Sequence, residues 1–204
     1  STKTLKINPK IMPSCLVPLA NGSEELEAIS IWNPLRRAGV EVTIASVMPG
    51  SLEVQCARGT VIKCDKLITD CLAEKFDCVA LPGGMPGATN FAECKELVTL
   101  LQERKAASML NAAICASPAV VFASHELLGS GKATCYPAPK FLEMMGDKLA
   151  PEGTTVVVDE KVATSVGPGT ALEFGLTLVG LLCGKEKAEE IAASMKFQGS
   201  LTAL

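Results

Sequence analysis

Short apolar runs rich in β-branched residues alternate with longer amphipathic segments along this chain, and that rhythm admits few folds. Strand, crossover helix and strand in succession lay strands side by side in parallel and cover the sheet with helices. An α/β fold is expected. Strands are read over residues 15–19, 40–46, 78–81 and 109–115, with a further strand near 133–135 and a closing pair at TVVVD and VATS. LEVQC and TVIKC, flanking Arg58-Gly59, read as two shorter strands forming an edge excursion. Helices are expected over 24–39, 94–105 and 118–127, around Phe141, and over 170–183 and 186–195. Asn21-Gly22-Ser23 supplies turn chemistry and an N-cap for the first of these. With 204 residues and no repeat, linker or low-complexity tract, a single domain over 1–204 is expected.

Composition narrows the function classes. Nineteen basic against 22 acidic residues give a net charge of −3 without a basic run, which disfavours nucleic acid as a partner. The longest apolar stretch, 171–183, contains Glu173 and Thr177 and is shorter than the roughly 18 to 20 residues of a membrane span, so no membrane partner is expected. Pro13 and Pro18 interrupt the one candidate leader core, 11–20, so export is not expected. Nine cysteines, never spaced C-x-x-C, accompany one histidine, His125. Free thiols in a reducing cytoplasm fit this pattern, and neither a metal site nor a cofactor is expected.

In an open α/β sheet the ligand crevice lies beyond the carboxyl ends of the strands, which directs attention to three strand-to-helix turns. The turn after Leu19 delivers Glu24, Glu25 and Glu27; the one after Leu81 delivers LPGGMPG; the one after Ile114 delivers Cys115. Ser117 as N-cap and Pro118 as first helical residue would place the Cys115 thiol at the positive end of a helix, favouring a reactive thiolate. Gly83-Gly84 fits neither GxGxxG nor a P-loop, so it is read as a tight turn or as a backbone donor for an oxyanion. Glu24 and Glu25 suit the positive end of their helix. Glu27 precedes Ile31 by four and Leu35 by eight, bordering the inward row, where desolvation would raise its pKa and make it a proton donor. His125 follows Cys115 by ten residues, about 15 Å along a helix, too far for a Cys-His pair, and is read as a surface residue.

Four motifs in register, NGSEELEA, LPGGMPGA, AAICASP and SVGPGTALEFG, resemble the ThiJ/PfpI superfamily across nearly the whole chain. The alanine after the cysteine is similar to the parkinsonism-associated deglycase branch and its bacterial chaperone-like relatives. The resemblance implies a flavodoxin-like sandwich of the class I glutamine amidotransferase-like type, a mostly parallel sheet with helices on both faces, and a homodimer. It also implies a nucleophile-elbow cysteine matching Cys115 and a protonated glutamate matching Glu27. Backbone N–H groups matching Gly84 and Ala116, beside Gly83, would face the sulfur. Arg37 and Arg58 match positions lining the nearby surface, and Cys56 matches a peripheral cysteine near the dimer interface.

Departures from the family pattern bear on chemistry. Peptidase relatives place a histidine directly after the nucleophile, where this chain has Ala116, which argues against amide hydrolysis. The pocket histidine of deglycase-type relatives is replaced by Tyr136, a poor base near neutral pH; Val166 stands for an arginine and Met85 for a polar residue. Tyr136 and Pro168 are expected to line the pocket. The implied activity is a cofactor-independent glyoxalase or deglycase acting on methylglyoxal, glyoxal or their glycated adducts. The alternative is a non-enzymatic redox sensor or redox-regulated chaperone working through Cys115 oxidation.

Overall fold

The computed structural model describes residues 12–201, 203 and 204. Leader-core stretch 11–20 thus begins outside the described residues. Strand β1 (Ser14–Leu19) leads into helix α1 (Glu25–Arg37) and strand β2 (Glu41–Ser46). A hairpin of β3 (Glu53–Gln55) and β4 (Val61–Lys63) precedes the short β5 (Lys66–Leu67). Then follow β6 (Cys78–Leu81), α2 (Gly87–Glu93), α3 (Lys95–Ala106) and β7 (Leu110–Ile114). The chain closes with α4 (Pro139–Met145), β8 (Val156–Asp159), β9 (Val162–Ser165), α5 (Ala171–Cys183) and α6 (Lys185–Ser194).

Seven strands form the main sheet in the order β5-β2-β1-β6-β7-β9-β8, parallel except for the β8–β9 pair. The hairpin β3-β4 is a separate antiparallel ribbon, as LEVQC and TVIKC predict. Alternation along the central strands serves both faces. Cys15, Val17, Cys78 and Ala80 pack with Ile31, Leu35, Phe174 and Leu178 of α1 and α5; Leu16, Val79 and Leu81 pack with Phe91, Leu97 and Leu101 of α2 and α3. Burial on both sides accounts for strands that read as continuous apolar runs. The architecture is the expected flavodoxin-like one. Because β1 sends one connection to β2 and its other sheet neighbour is β6, the order reverses there, and a crevice opens at the carboxyl ends of β1, β6 and β7.

Several local expectations are corrected. Helix α1 is capped by Glu24, whose Oε2 accepts from Glu27 N–H at 2.7 Å, while Ser23 Oγ turns back to Ala20 N–H. A carboxylate in place of a hydroxyl serves the same orphan donor. Helix α2 was unforeseen, since its seven residues are too short to show a period. Residues 133–135 form only an isolated bridge, Ala133 to Leu149, and no strand. The expected helix over 118–127 contracts to a wide π-type turn, Pro118–Ala123. His125 is half-buried rather than at the surface, with Nε2 at 3.0 Å from the Ala92 carbonyl. No helix among the described residues is long and apolar enough to cross a membrane.

Candidate active site

Cys115 stands one residue beyond β7 with φ of +66°, a conformation that costs a residue bearing a Cβ on the order of 1–3 kcal/mol. Its backbone is held from both sides: its N–H donates to the Ser165 carbonyl at 3.0 Å, and its carbonyl accepts from Tyr136 N–H at 2.8 Å. The elbow is crowded against the glycine loop. A Cβ on Gly83 would lie 2.5 Å from the Cys115 Cβ, and one on Gly84 would lie 2.4 Å from the Gly22 carbonyl oxygen. Gly83 is therefore a steric requirement of bringing this loop against the elbow, and Gly84 of bringing it against the first turn, which goes beyond a tight turn.

Glu27 is fully buried on α1. Its Oε2 accepts from Gly83 N–H at 2.7 Å, joining the first turn to the second, while Oε1 is buried with no hydrogen-bond partner among the described residues. Desolvation pushes this carboxyl up to about 7; the Gly83 amide and the Cys115 thiol pull the other way. The thiol itself is pushed up to about 12, by burial first and then by the Glu27 carboxylate, against the backbone N–H groups of Gly84 and Ala116 that face it. This corrects the expectation of a resting thiolate. Ser117 caps nothing: its hydroxyl donates to the Pro82 carbonyl at 2.6 Å, and the six-residue turn behind it contributes too little to offset a neighbouring carboxylate. Near neutral pH the thiol keeps its proton, and the carboxyl is the group of the two that exchanges one.

A cavity of about 340 Å³ opens onto the sulfur, lined by Glu24, Arg58, Met85, Tyr136, Phe141 and Pro168 among others. Of the expected pocket residues, Arg58, Tyr136 and Pro168 are brought together here. Arg37 is not. It lies at the far end of α1, ten residues and about 15 Å from Glu27, where its Nε bonds Asn33 Oδ1 at 2.8 Å. Cys56 is buried behind the hairpin in a small apolar cluster with Leu19, Ile44 and Cys64, its thiol pushed up to about 11 chiefly by burial. Two neighbours escaped sequence reasoning. Phe141 reaches the cavity from α4, which sequence could place near no strand end, and Glu25 fixes the Arg58 loop by accepting its N–H at 3.0 Å. Burial pushes the Glu25 carboxyl up, yet the N–H groups of Glu25, Arg58 and Thr60 outweigh it and hold the group below the ordinary carboxylate range. Among the described residues no group of three or more His, Cys, Asp or Glu is arranged to hold a metal ion.

Comparison with known proteins places this geometry in a family. The DJ-1/PfpI family model matches residues 13–181. Protein DJ-1 homolog B of Arabidopsis thaliana is 40% identical over 180 residues, which are 88% of this chain and 40% of that protein, so the chain spans less than half of its length. A glutathione-independent glyoxalase of Caenorhabditis elegans, DJR-1.2, is 35% identical over 174 residues, 83% of this chain and 88% of that one. The structure of oxidised Toxoplasma gondii DJ-1 superposes with a TM-score of 0.87 at 45% identity, covering 92% of this chain and all of that one. A strained cysteine elbow, a buried glutamate and a glycine loop, carried on a fold and a sequence shared with these proteins, make this chain a member of the DJ-1/PfpI family.

Proposed function

We propose that the protein is a cysteine-dependent, cofactor-independent glyoxalase acting on methylglyoxal or glyoxal. The observation that carries this reading is the buried Glu27 carboxyl set against the Cys115 thiol, its Oε1 taking no backbone N–H among the described residues and so open to the thiol proton. As the aldehyde enters, an ionised Glu27 takes the thiol proton on Oε1, the oxygen of the carboxyl that accepts no backbone N–H. Cys115 Sγ then adds to the aldehyde carbon, and the carbonyl electron pair becomes an oxyanion within reach of the Gly84 and Ala116 amides. Glu27 returns its proton to that oxygen and then takes the hydrogen of the former aldehyde carbon as a proton, leaving an enediolate; the hydroxyl proton passes to the neighbouring oxygen as Glu27 protonates the adjacent carbon, which leaves an α-hydroxy thioester. Water cleaves the C–S bond, giving lactate from methylglyoxal or glycolate from glyoxal and restoring the thiol. Likeness to the nematode glyoxalase supports this substrate class. The deglycase version, with a glycated adduct in place of the free aldehyde, uses the same three groups.

The test is lactate formation from methylglyoxal without glutathione. The intact protein turns over and Cys115→Ser falls by at least about a thousandfold, the scale of losing an activated nucleophile. Equal rates in the two proteins would remove Cys115 from the chemistry. A second reading, redox sensing, is favoured by the same orphan oxygen: a protonated Oε1 would donate to a Cys115 sulfinate formed by peroxide. Peptide mapping after mild peroxide separates it, since oxidation confined to Cys115 supports sensing and oxidation scattered over the nine cysteines opposes it.

A further inference from the structure

The two N–H groups that face the Cys115 sulfur come from different loops, Ala116 from the elbow and Gly84 from the glycine loop. Each loop is anchored to a different part of the molecule. On the elbow, Cys115 bonds the Ser165 carbonyl of β9 and Tyr136 N–H, and the Ala116 carbonyl accepts from Val120 N–H at 2.8 Å. On the glycine loop, Gly83 N–H donates to Glu27, the Gly83 carbonyl accepts from Glu24 N–H at 2.9 Å, and the Gly84 carbonyl accepts from Ala88 N–H at 2.9 Å. None of these bonds crosses from one loop to the other, and among the described residues no main-chain hydrogen bond outside the sheet does so.

Ser117 makes the crossing. Its side chain is fully buried, and its Oγ donates to the Pro82 carbonyl at 2.6 Å. The donor stands one residue past Ala116 and the acceptor two residues before Gly84. A serine at the start of a helical turn ordinarily caps it, but Ser117 has helical dihedrals, φ −65° and ψ −34°, and makes no capping bond, so its hydroxyl is directed across the gap instead. Gly83 permits the two loops to touch, since a Cβ there would lie 3.0 Å from the Ala116 nitrogen. A missing side chain allows an approach; a directional hydrogen bond holds it.

We propose that Ser117 is a positioning residue whose hydroxyl fixes the Gly84 amide relative to the Ala116 amide, so that both aim at the oxygen that becomes negative when Cys115 adds to an aldehyde. The assignment rests on the glyoxalase reading for its reaction, whereas the alignment of the same amides on the sulfur is independent of it. Donors of this kind act only when preorganised to within about 0.5 Å, and the charge they receive exists in the transition state rather than in the bound aldehyde. Loss of the Ser117 hydroxyl therefore acts on kcat and spares KM.

The experiment compares the intact protein with Ser117→Ala, measuring kcat and KM for methylglyoxal per folded molecule, with urea unfolding giving the folded fraction. The expected result is a kcat lower by about ten- to a hundredfold, short of deleting an oxyanion donor outright, and a KM within about twofold. A bond that serves the fold alone would lower the urea midpoint and leave kcat unchanged. That outcome, or a loss carried by KM, overturns the proposal and leaves the glyoxalase reading standing. If the intact protein turns over no aldehyde, that reading falls, and alkylation by iodoacetamide decides the role of Ser117. The Cys115 S–C bond forms as iodide leaves and the thiol proton passes to solvent; peptide masses give the rate, with half-buried Cys94 as internal reference. Both amides favour the thiolate, so Ser117→Ala should slow Cys115 by about threefold or more while Cys94 keeps its rate. An unchanged ratio of the two rates overturns the proposal.

Discussion

The two ends of the central sheet bury polar groups in opposite ways. At the amino ends, Arg104 is only 4% exposed, and its guanidinium donates to Asn111 Oδ1 at 2.9 Å and to the carbonyls of Phe76, Asp77 and Leu110 at 2.6, 3.2 and 2.7 Å. Asn111 in turn donates to the Leu101 carbonyl at 3.1 Å. At the carboxyl ends, Glu27 has a buried oxygen that no backbone group among the described residues satisfies, beside the Cys115 thiol, and Cys115 has a positive φ. A satisfied network fixes strands, loops and helix relative to one another; an unsatisfied group beside a strained one is poised to gain a partner during a reaction. Burial is common to both ends, so burial does not distinguish structure from function here. Completeness of hydrogen bonding does.

Exchanging the two roles by mutation gives the largest effect. Arg104→Leu leaves three carbonyls and an amide oxygen without their donor, and a loss of about 3–5 kcal/mol is expected in urea unfolding. Turnover per folded molecule stays near that of the intact protein. Cys115→Ser does the reverse, abolishing turnover with a urea midpoint nearly unchanged. If Arg104→Leu unfolds at the same urea concentration as the parent, the amino-end network is not the structural anchor that its hydrogen bonds imply.

Glu27 sharpens the comparison through pH. Its carboxyl stands near 7 in the folded protein, against about 4.3 for an unperturbed glutamate. A folded-state value raised above the unfolded one means that the contribution is fully present below about pH 4 and is lost as pH rises toward 7, because the unfolded chain releases in that range a proton that the folded protein keeps. The difference amounts to about 4 kcal/mol by proton linkage. Glu27→Gln, neutral at every pH, removes that part of the slope between pH 4 and 7. The same ionisation should appear in reactivity: alkylation of Cys115 accelerates as pH passes through about 7 and loses that step in Glu27→Gln. A step near 7 that survives the substitution would assign the ionisation to another group.

Much of this contrast was legible in the sequence at the carboxyl ends and little of it at the amino ends. Glycine pairs, an acidic first turn and a cysteine after an apolar strand are local signals, and they fall next to strand ends that the apolar runs of β1, β6 and β7 mark plainly. Spacing to Ile31 and Leu35 put Glu27 at the border of the inward row, and the family resemblance singled it out from Glu24 and Glu25. What failed was anything set by the sum of several partners. The direction of the Cys115 shift depends on how burial and Glu27 outweigh two amides, and no residue pattern encodes that balance. Arg37 sits on the same helix as Glu27, and only the length of that helix shows that it is remote. Arg104 carries no local signal of its burial in the last turn of α3, because its acceptors are carbonyls from strands and loops far apart in the chain.

The smallest effect isolates the strain itself. Cys115 and Cys78 are both buried cysteines on the same side of the sheet, but only Cys115 has a positive φ, while Cys78 lies inside a strand. Comparing alanine with glycine at each position cancels loss of the thiol and leaves the backbone term. At Cys78, glycine should be less stable than alanine by about 0.5–1 kcal/mol, since it loses more freedom on folding and gains nothing in an extended conformation. At Cys115 the order should invert: a Cβ at positive φ costs more than the entropy glycine gives up, so Cys115→Gly should exceed Cys115→Ala by about 0.5–1 kcal/mol. Urea midpoints of the four variants measure both differences. The same order at both positions would mean that the elbow is relaxed, and the orphan oxygen of Glu27 would then be the sole departure from structural completeness at that end of the sheet.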